Sequence, residues 1–542
     1  MTKTTPDPGG AGVPASDVPA WLNPKAHEAG PAIEGDDFAD FGALIRRRAG
    51  GRPDHAAAVL EGCSLSYAAL DHRMDRVAAA LQRDGLGAGG VIALCAETSL
   101  DYLAIMLGAL RAGVAFAPLP LSAEPRSIAA MAADAGTTHL FLDRARDRHL
   151  PATPGMHRIL VDAPEAACGI EAWLGLAHGP PEPVDVTAAS RFAILYSSGT
   201  TAAPKGIVQS HGMRWAGLRG VGALQYGPHT VSMVSTPLYS NTTLVGLLPT
   251  LACGGTAVLM RKFDAREFLA LSQRHGATHA MLVPVQYARI MAEPDFAAFD
   301  LSCYRWKFCT SAPFPAALKA EVVDRWPGHL LEFYGMTEGG GTCALLADVF
   351  RNKLHTVGQP LPGNDIRVID EAGREVASGV TGEIVGRSPG MMDGYHAQPG
   401  QSAAAYWHDG AGRRFIRTGD VGHFDEDGFL VLSDRKKDLI ISGGFNIFPS
   451  DLEQLLLRHE GVAEAAVVGV PSTRWGETPA AFVVLRPGCR ASDEALLSWA
   501  NERLGKVQRI TRMRIVDQLP RSALGKVQKR LLRERFGVEP LA

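Results

Sequence analysis

What the 542-residue sequence lacks narrows its class before any motif is read. Eight cysteines are scattered without CxxC spacing, Cys303 and Cys309 being the closest pair. Neither a zinc ribbon nor a disulfide framework is indicated, and reduced thiols in a cytoplasmic setting are expected. No uninterrupted apolar run reaches membrane-spanning length, because proline and glycine pairs break Leu244 to Met260; no integral membrane segment is expected. The net charge of −3 leaves no basic footprint, so nucleic acid is not an expected partner. Residues 1–35, rich in Pro, Gly, Asp and Ala, lack a basic-then-apolar leader and read as a flexible tail. The ending Glu539-Pro540-Leu541-Ala542 is not a peroxisomal address.

What is present is a chain too long for one core. From Phe41 to Asp143, helical spacing (Tyr67, Leu70, Met74, Val77, Leu81, with Ser66 placed to cap) alternates with short apolar runs at Val91–Cys95 and Val114–Leu119. Helices between buried strands predict a parallel sheet of the α/β class. Gly85 to Gly90 precedes its strand, so it is a helix-to-strand turn and not a dinucleotide fingerprint. The alternation resumes over Phe192–Phe333. From Thr356 the texture changes to short β segments with Gly and Asp turns, which predicts a small β unit. Charges at Asp434 to Asp438 mark a boundary, and the remaining residues suffice for a small α+β domain.

The chemistry centres on Tyr196-Ser197-Ser198-Gly199-Thr200-Thr201-Ala202-Ala203-Pro204-Lys205-Gly206, which follows a strand-like run. Its backbone N–H groups, hydroxyls and lysine suit a polyphosphate. A Walker A loop needs Gly before the Lys and Ser or Thr after it; here Pro204 and Gly206 stand there, which excludes a P-loop NTPase. The loop resembles the phosphate-binding signature of the adenylate-forming superfamily (acyl-CoA and aryl-CoA synthetases, luciferases and peptide-synthetase adenylation domains), with Ala202 where the usual form has Gly, and the chain as a whole resembles the acyl-CoA and aryl-CoA synthetase branch. Phe333-Tyr334-Gly335-Met336-Thr337-Glu338, Arg417-Thr418-Gly419-Asp420, Asp434 to Pro449 and Pro520-Arg521-Ser522-Ala523-Leu524-Gly525-Lys526 match further motifs of that family.

The resemblance implies a large N-terminal domain of α/β sheets plus a small β-barrel (36–433), a hinge at 434–437 centred on Lys437, and a small mobile α+β domain (438–542). It implies that Ser197, Ser198, Gly199, Thr200, Thr201 and Lys205 cradle the phosphates of ATP, with Ser311, Ala312 and Gly335 beside the nucleotide. Tyr334 would stack on adenine, Thr337 contact the α-phosphate, Glu338 bind Mg²⁺, and Asp420 and Arg435 hold the ribose. A hard dication wants carboxylate oxygens, and one carboxylate can accept from both hydroxyls of a diol. Gly443, Gly444 and Asn446 would line the arm of CoA, since a missing side chain lets a thiol arm pass close to backbone. Trp475 could stack on the CoA adenine or be an ordinary core tryptophan. Lys526 would stabilise the charge that develops when a carboxylate attacks a polyphosphate, although Lys529, Arg530, Arg533 and Arg535 also make it part of a basic tail. Trp215, Leu218, Ser240, Val245, Gln286 and Gly339 to Gly341 are candidate lining for the acyl group.

The implied activity is ATP-dependent ligation of an apolar aliphatic or aromatic carboxylic acid to CoA through an acyl-adenylate. The segment Thr236 to Thr243 holds no acid to pair with an amino group, which disfavours amino acids, and Ser240 stands where many relatives carry His. No carrier domain follows Ala542, so free CoA is the expected acceptor and a separate carrier protein the alternative. A serine hydrolase is the rival enzyme class, because Gly386-Arg387-Ser388-Pro389-Gly390 satisfies GxSxG; but the oxyanion hole needs an N–H from the residue after the serine, and Pro389 has none. A non-catalytic binding protein on the same scaffold is the third reading. A monomer or homodimer is expected.

Overall fold

The computed structural model describes residues 38–535, apart from 154, 178, 197–204, 220, 436–437, 443–444, 473–474, 506–507 and 523–524; of Asn446 only the backbone is described. The expected contacts of Ser197, Ser198, Gly199, Thr200 and Thr201, of Lys437, and of Gly443, Gly444 and the Asn446 side chain lie outside these residues.

Two sheets dominate the large domain. A nine-stranded sheet has at its centre the strands His329–Tyr334, Trp306–Cys309, His279–Leu282, Val231–Val234, Thr256–Leu259 and Ala56–Leu60, all mutually parallel. A seven-stranded sheet runs Gly394–Tyr395, Gly206–Ser210, Arg191–Tyr196, Ala115–Pro118, Val91–Cys95, His139–Leu142 and His157–Leu160, parallel except for its first two pairings. Helices Tyr67–Arg83, Leu100–Arg111 and Asn241–Ala252 share one apolar core with both sheets, which includes Phe116 and Phe192 of one and Met281 and Phe308 of the other. Leu100–Arg111 is buried on every side from Tyr102 to Leu110, as a helix between two sheets must be. Ser66 and Ser99 cap their helices by accepting from Ala69 N and Tyr102 N, as the hydroxyl-first pattern predicts. Gly85 to Gly90 forms the expected turn into Val91–Cys95.

The β texture after Thr356 becomes a five-stranded sheet of Asp365–Ile369, Gly382–Arg387, Tyr406–His408, Arg414–Phe424 and Leu430–Arg435. The charges at Asp434 and Arg435 do not interrupt its last strand. That strand carries on through them because Asp434 pairs with Val421 and Arg435 with Asp420. The small domain is a second five-stranded sheet, in which Val462–Ser472 and Gly476–Leu485 form a long hairpin and Arg512–Ile515 pairs in parallel. One face buries Val467, Ala481 and Val483 against Leu452, Leu456 and Leu496; the other buries Ala466, Val468 and Phe482 against Leu519 and Leu532. Among the described residues no helix is long and apolar enough to cross a membrane.

His211 shows how tightly this core is closed. Its ring lies edge-on to Phe38 and Phe192, and its Nδ1 has no hydrogen-bond partner among the described residues. Burial, opposed only by Asp40, pushes its pKa down to about 4. The unfolded chain therefore takes up a proton near pH 6.5 that the folded chain refuses until about pH 4. Stability is full above pH 6.5 and falls by roughly 2–3 kcal/mol through this one group as the pH drops to 4. His211→Phe is expected to flatten the pH dependence of the urea-unfolding midpoint over that window; an equally steep dependence in the variant would contradict it.

Candidate active site

Strands in a parallel α/β sheet present their carboxyl ends to ligands, and the central strands of the larger sheet do so in one row. Val231–Val234 leads into Ser235 to Ser240, His279–Leu282 into Val283 to Gln286, Trp306–Cys309 into Thr310 to Ala312, and His329–Tyr334 into Gly335 to Glu338. Segments more than a hundred residues apart thus share one edge.

Along that edge the expected nucleotide residues meet. Tyr334 donates its hydroxyl to Asp420 Oδ2 at 2.8 Å, and Arg435 Nε lies 2.6 Å from Asp420 Oδ1. Thr418 donates to Ile384 O at 2.9 Å and accepts from Asp420 N, which fixes the aspartate's backbone. Burial raises the Tyr334 pKa, and the neighbouring Asp420 carboxylate raises it further, so the phenol stays neutral. Ser311 adopts φ of +83°, a conformation costly for a residue with a Cβ, and shares a 2.6 Å hydrogen bond with Thr242 Oγ1.

Glu338 stands at the other end of the same loop. Its Oε1 accepts from Tyr395 OH at 3.1 Å, and the Lys205 ammonium lies 5.4 Å from the centre of the Tyr395 ring. Burial raises the Glu338 pKa, while hydrogen bonds, Tyr395's among them, and the charges of Arg435 and Lys205 oppose that rise. Tyr395 is held there by backbone pairing, because Gly394 and Tyr395 sit opposite Val208 and Ile207, His396 N donates to Gly206 O, and Met392 N donates to Glu338 O. Sequence reasoning missed Tyr395, since nothing local announces that its two-residue strand zips onto the segment after Lys205. It also missed Gln209, whose amide donates to Thr337 O at 2.8 Å.

The candidate acyl residues divide. Ser240 caps helix Asn241–Ala252 through Thr242 N. Gln286 spends its amide on Ser235 O, Ser235 Oγ and Val283 N, so its polar atoms are already engaged. Trp215 meets Phe38 edge-on, Leu218 belongs to the core, and Val245 is 40% exposed. A side chain at Gly339 would overlap Gly390 O and press on Met213, and one at Gly340 would press on Ile416 and Met336. Those glycines serve a close approach of two loops. Ser388, the serine of the GxSxG motif, donates to Gly339 O at 2.8 Å and accepts from Gly390 N, which makes it a staple of that approach.

The small domain reaches the same edge. A Cβ built on Gly525 would lie 2.5 Å from Val285 Cγ1, at the start of helix Pro284–Met291, and Gly525 has φ of +77°. The loop is braced by Arg521, which donates to Gly525 O at 2.6 Å, and by Ser522 N donating to Lys526 O at 2.8 Å. Further along the tail, Lys529 pairs with Glu453 and Arg533 with Asp438, so these cations are tied to small-domain acids. Trp475 is 48% exposed beside Ser472 on the small domain, which rules out an ordinary core tryptophan.

Among the described residues no cluster of three or more His, Cys, Asp or Glu could cage a metal ion. A single desolvated carboxylate, Glu338, beside a lysine suits a dication that brings phosphate oxygens with it, which is how Mg²⁺ is commonly held.

Comparison with known proteins agrees with this geometry. Residues 45–396 match the model of the AMP-binding enzyme family and residues 451–526 that of the AMP-binding enzyme C-terminal domain. The chain is 32% identical over 498 residues to the fatty acid–[acyl-carrier-protein] ligase ScoC of Streptomyces coeruleorubidus, covering 89% of this chain and 94% of that protein. It is 32% identical over 501 residues to a feruloyl-CoA synthase of an Amycolatopsis species, covering 92% and 99%. The crystal structure of ATP-bound MatB from Rhodopseudomonas palustris superposes with a TM-score of 0.82 at 30% identity, covering 92% of this chain and 99% of that one.

The close loop packing makes a direct test. Gly339→Ala meets both Gly390 O and a φ of +75°, and the backbone conformation alone costs roughly 1–3 kcal/mol. A thermal melt is expected to show a drop of several degrees; an unchanged midpoint would mean that the two loops do not pack this closely.

Proposed function

The chain belongs to the AMP-binding enzyme family, and from that premise we propose that it is an ATP-dependent, AMP-forming acid–CoA ligase acting on a carboxylic acid with an apolar body. The observation that carries this reading is the seating of the Gly525–Lys526 loop against Val285, on the strand-end row that also presents Ser311, Tyr334 and Glu338.

In the first half-reaction the substrate carboxylate attacks the α-phosphorus of ATP and pyrophosphate leaves. Both reactants are anions, so the barrier is chiefly electrostatic, and fixed cations lower it because they need no reorganisation as charge moves. Lys205 holds the departing phosphates from one side. Lys526, brought in by the small domain, neutralises charge where the carboxylate and the α-phosphate meet. Asp420 and Arg435 orient the ribose, and Tyr334 presents its ring to adenine while its hydroxyl steadies Asp420. Mg²⁺, held by Glu338 and the phosphates, would supply further charge neutralisation. Thr337, whose carbonyl is fixed by Gln209, contacts the α-phosphate.

In the second half-reaction the CoA thiol attacks the acyl carbon and AMP leaves. A lysine loop seated on Val285 occupies the edge that the thiol must reach. The small domain therefore turns about Lys437, withdrawing Lys526 and bringing residues 443–446 and Trp475 to the adenylate. One small domain serving two reactions needs two closed arrangements.

The residues that serve only one step are separable by assay. Lys526→Ala is expected to lower acid-dependent ATP–pyrophosphate exchange by about 10²- to 10³-fold, the scale of losing one charge-stabilising group. Conversion of supplied acyl-AMP and CoA to the thioester should stay within a few-fold of wild type. Equal losses in both assays would contradict the division of labour.

A further inference from the structure

Helix His211–Leu218 carries a cation for which the protein supplies no anion. Arg214 Nη2 donates to Gln209 Oε1 and, at 2.7 Å, to Asn241 Oδ1, and its guanidinium lies 5.4 Å from the centre of the Phe192 ring. Both acceptors are neutral amides. Among the described residues no carboxylate pairs with it, and its buried Nε has no hydrogen-bond partner. Burial, with no charge opposing it, pushes its pKa down to about 10. A desolvated guanidinium without a counter-charge is costly, and arginine's planar fork is the side chain best shaped to take a carboxylate.

The position of this cation says where the missing anion comes from. Asn241 is the first residue of helix Asn241–Ala252, whose side chains are buried apart from Asn241 and Val245. Those two lie one turn apart on the same face, and Val245 is 40% exposed there. Next to Arg214 in sequence, Met213 packs against the Gly339 loop, and Gln209, which accepts from Arg214, donates to Thr337 O. The guanidinium thus stands one hydrogen-bonded step from the loop that holds Thr337 and Glu338, and is bonded directly to Asn241 at the start of the helix whose next turn exposes Val245.

We propose that Arg214 receives a second anionic group of the acid, so that the substrate is bis-anionic: one carboxylate is adenylated, and a carboxylate or comparable oxyanion at the far end of an apolar body pairs with Arg214. This rests on the adenylation reading above. Gln209 and Asn241 hold the guanidinium in place, and the substrate supplies the charge that the fold withholds. A hydrocarbon acid leaves the cation unpaired, which is the arrangement that discriminates most strongly between otherwise similar ligands.

The test is acid-dependent ATP–pyrophosphate exchange by the full-length enzyme with matched pairs, octanoate against suberate and benzoate against terephthalate. Wild type is expected to favour the bis-anionic member of at least one pair by tenfold or more in kcat/KM. Arg214→Leu should lower that preference at least tenfold, and Arg214→Lys should retain part of it. Arg214→Gln carries the same test should the leucine variant lack a cooperative thermal melt. Wild type preferring the hydrocarbon members, or Arg214→Leu slowing all four acids in proportion, would overturn the inference and leave adenylation standing. Exchange with none of the four would overturn the adenylation reading and this inference with it.

Discussion

The Lys526 loop meets the larger sheet where Gly525 lies against Val285, and the proposed chemistry depends on that contact. A carboxylate and a polyphosphate repel each other, so they react only where cations are already fixed around them. Lys205 and Arg435 belong to the large domain, beside Tyr395 and Asp420 respectively, and in the proposed complex they face the phosphates and the ribose. A cation for the acid side has to come from elsewhere in the chain. Glycine at 525 is what lets the loop come so close: any side chain there would strike Val285, and its φ of +77° suits glycine above all.

The rest of the large domain works as a frame for that meeting. Parallel pairing from His329–Tyr334 through Val231–Val234 brings the strand ends to one edge, so that Ser240, Gln286, Ser311 and Glu338 share it despite their separation in sequence. The smaller α/β sheet feeds Lys205 in from its own edge, and the short Gly394–Tyr395 strand ties it to Glu338 through Tyr395. Local strain is present on this edge as well, at Ser311. Binding sites commonly carry such strain because the surrounding packing holds it in place.

Much of this was legible in the sequence. Periodicity gave the alternation of helix and strand, hydroxyl caps marked helix starts, and Tyr334, Glu338, Asp420, Arg435 and Lys526 stood out in short motifs. What stayed hidden are the contacts that only the fold creates. Tyr395 reads as one more aromatic until its strand zips onto Gly206–Ser210. Nothing in the sequence sets Arg214 apart, and only the fold shows that its neighbours are Phe192 and two amides. Gln286, a candidate for the acyl lining, has its amide engaged by Ser235. Gly339 and Gly340, candidates for the same lining, have Gly390 and Ile416 as near neighbours. Spacing cannot say which way a side chain faces when its partner lies a hundred residues away.

The most direct test follows the loop itself. Spin labels on Gln528→Cys and Arg289→Cys, with the exposed Cys63, Cys168, Cys303 and Cys489 replaced by serine, report the distance between the small domain and helix Pro284–Met291 by pulsed electron paramagnetic resonance. With a non-hydrolysable ATP analogue the distance distribution should be short and narrow. With a non-hydrolysable acyl-adenylate analogue and CoA it should move to a second, longer value. A single distribution unchanged by either ligand would contradict the account, because the lysine could then not leave the edge that the thiol has to reach.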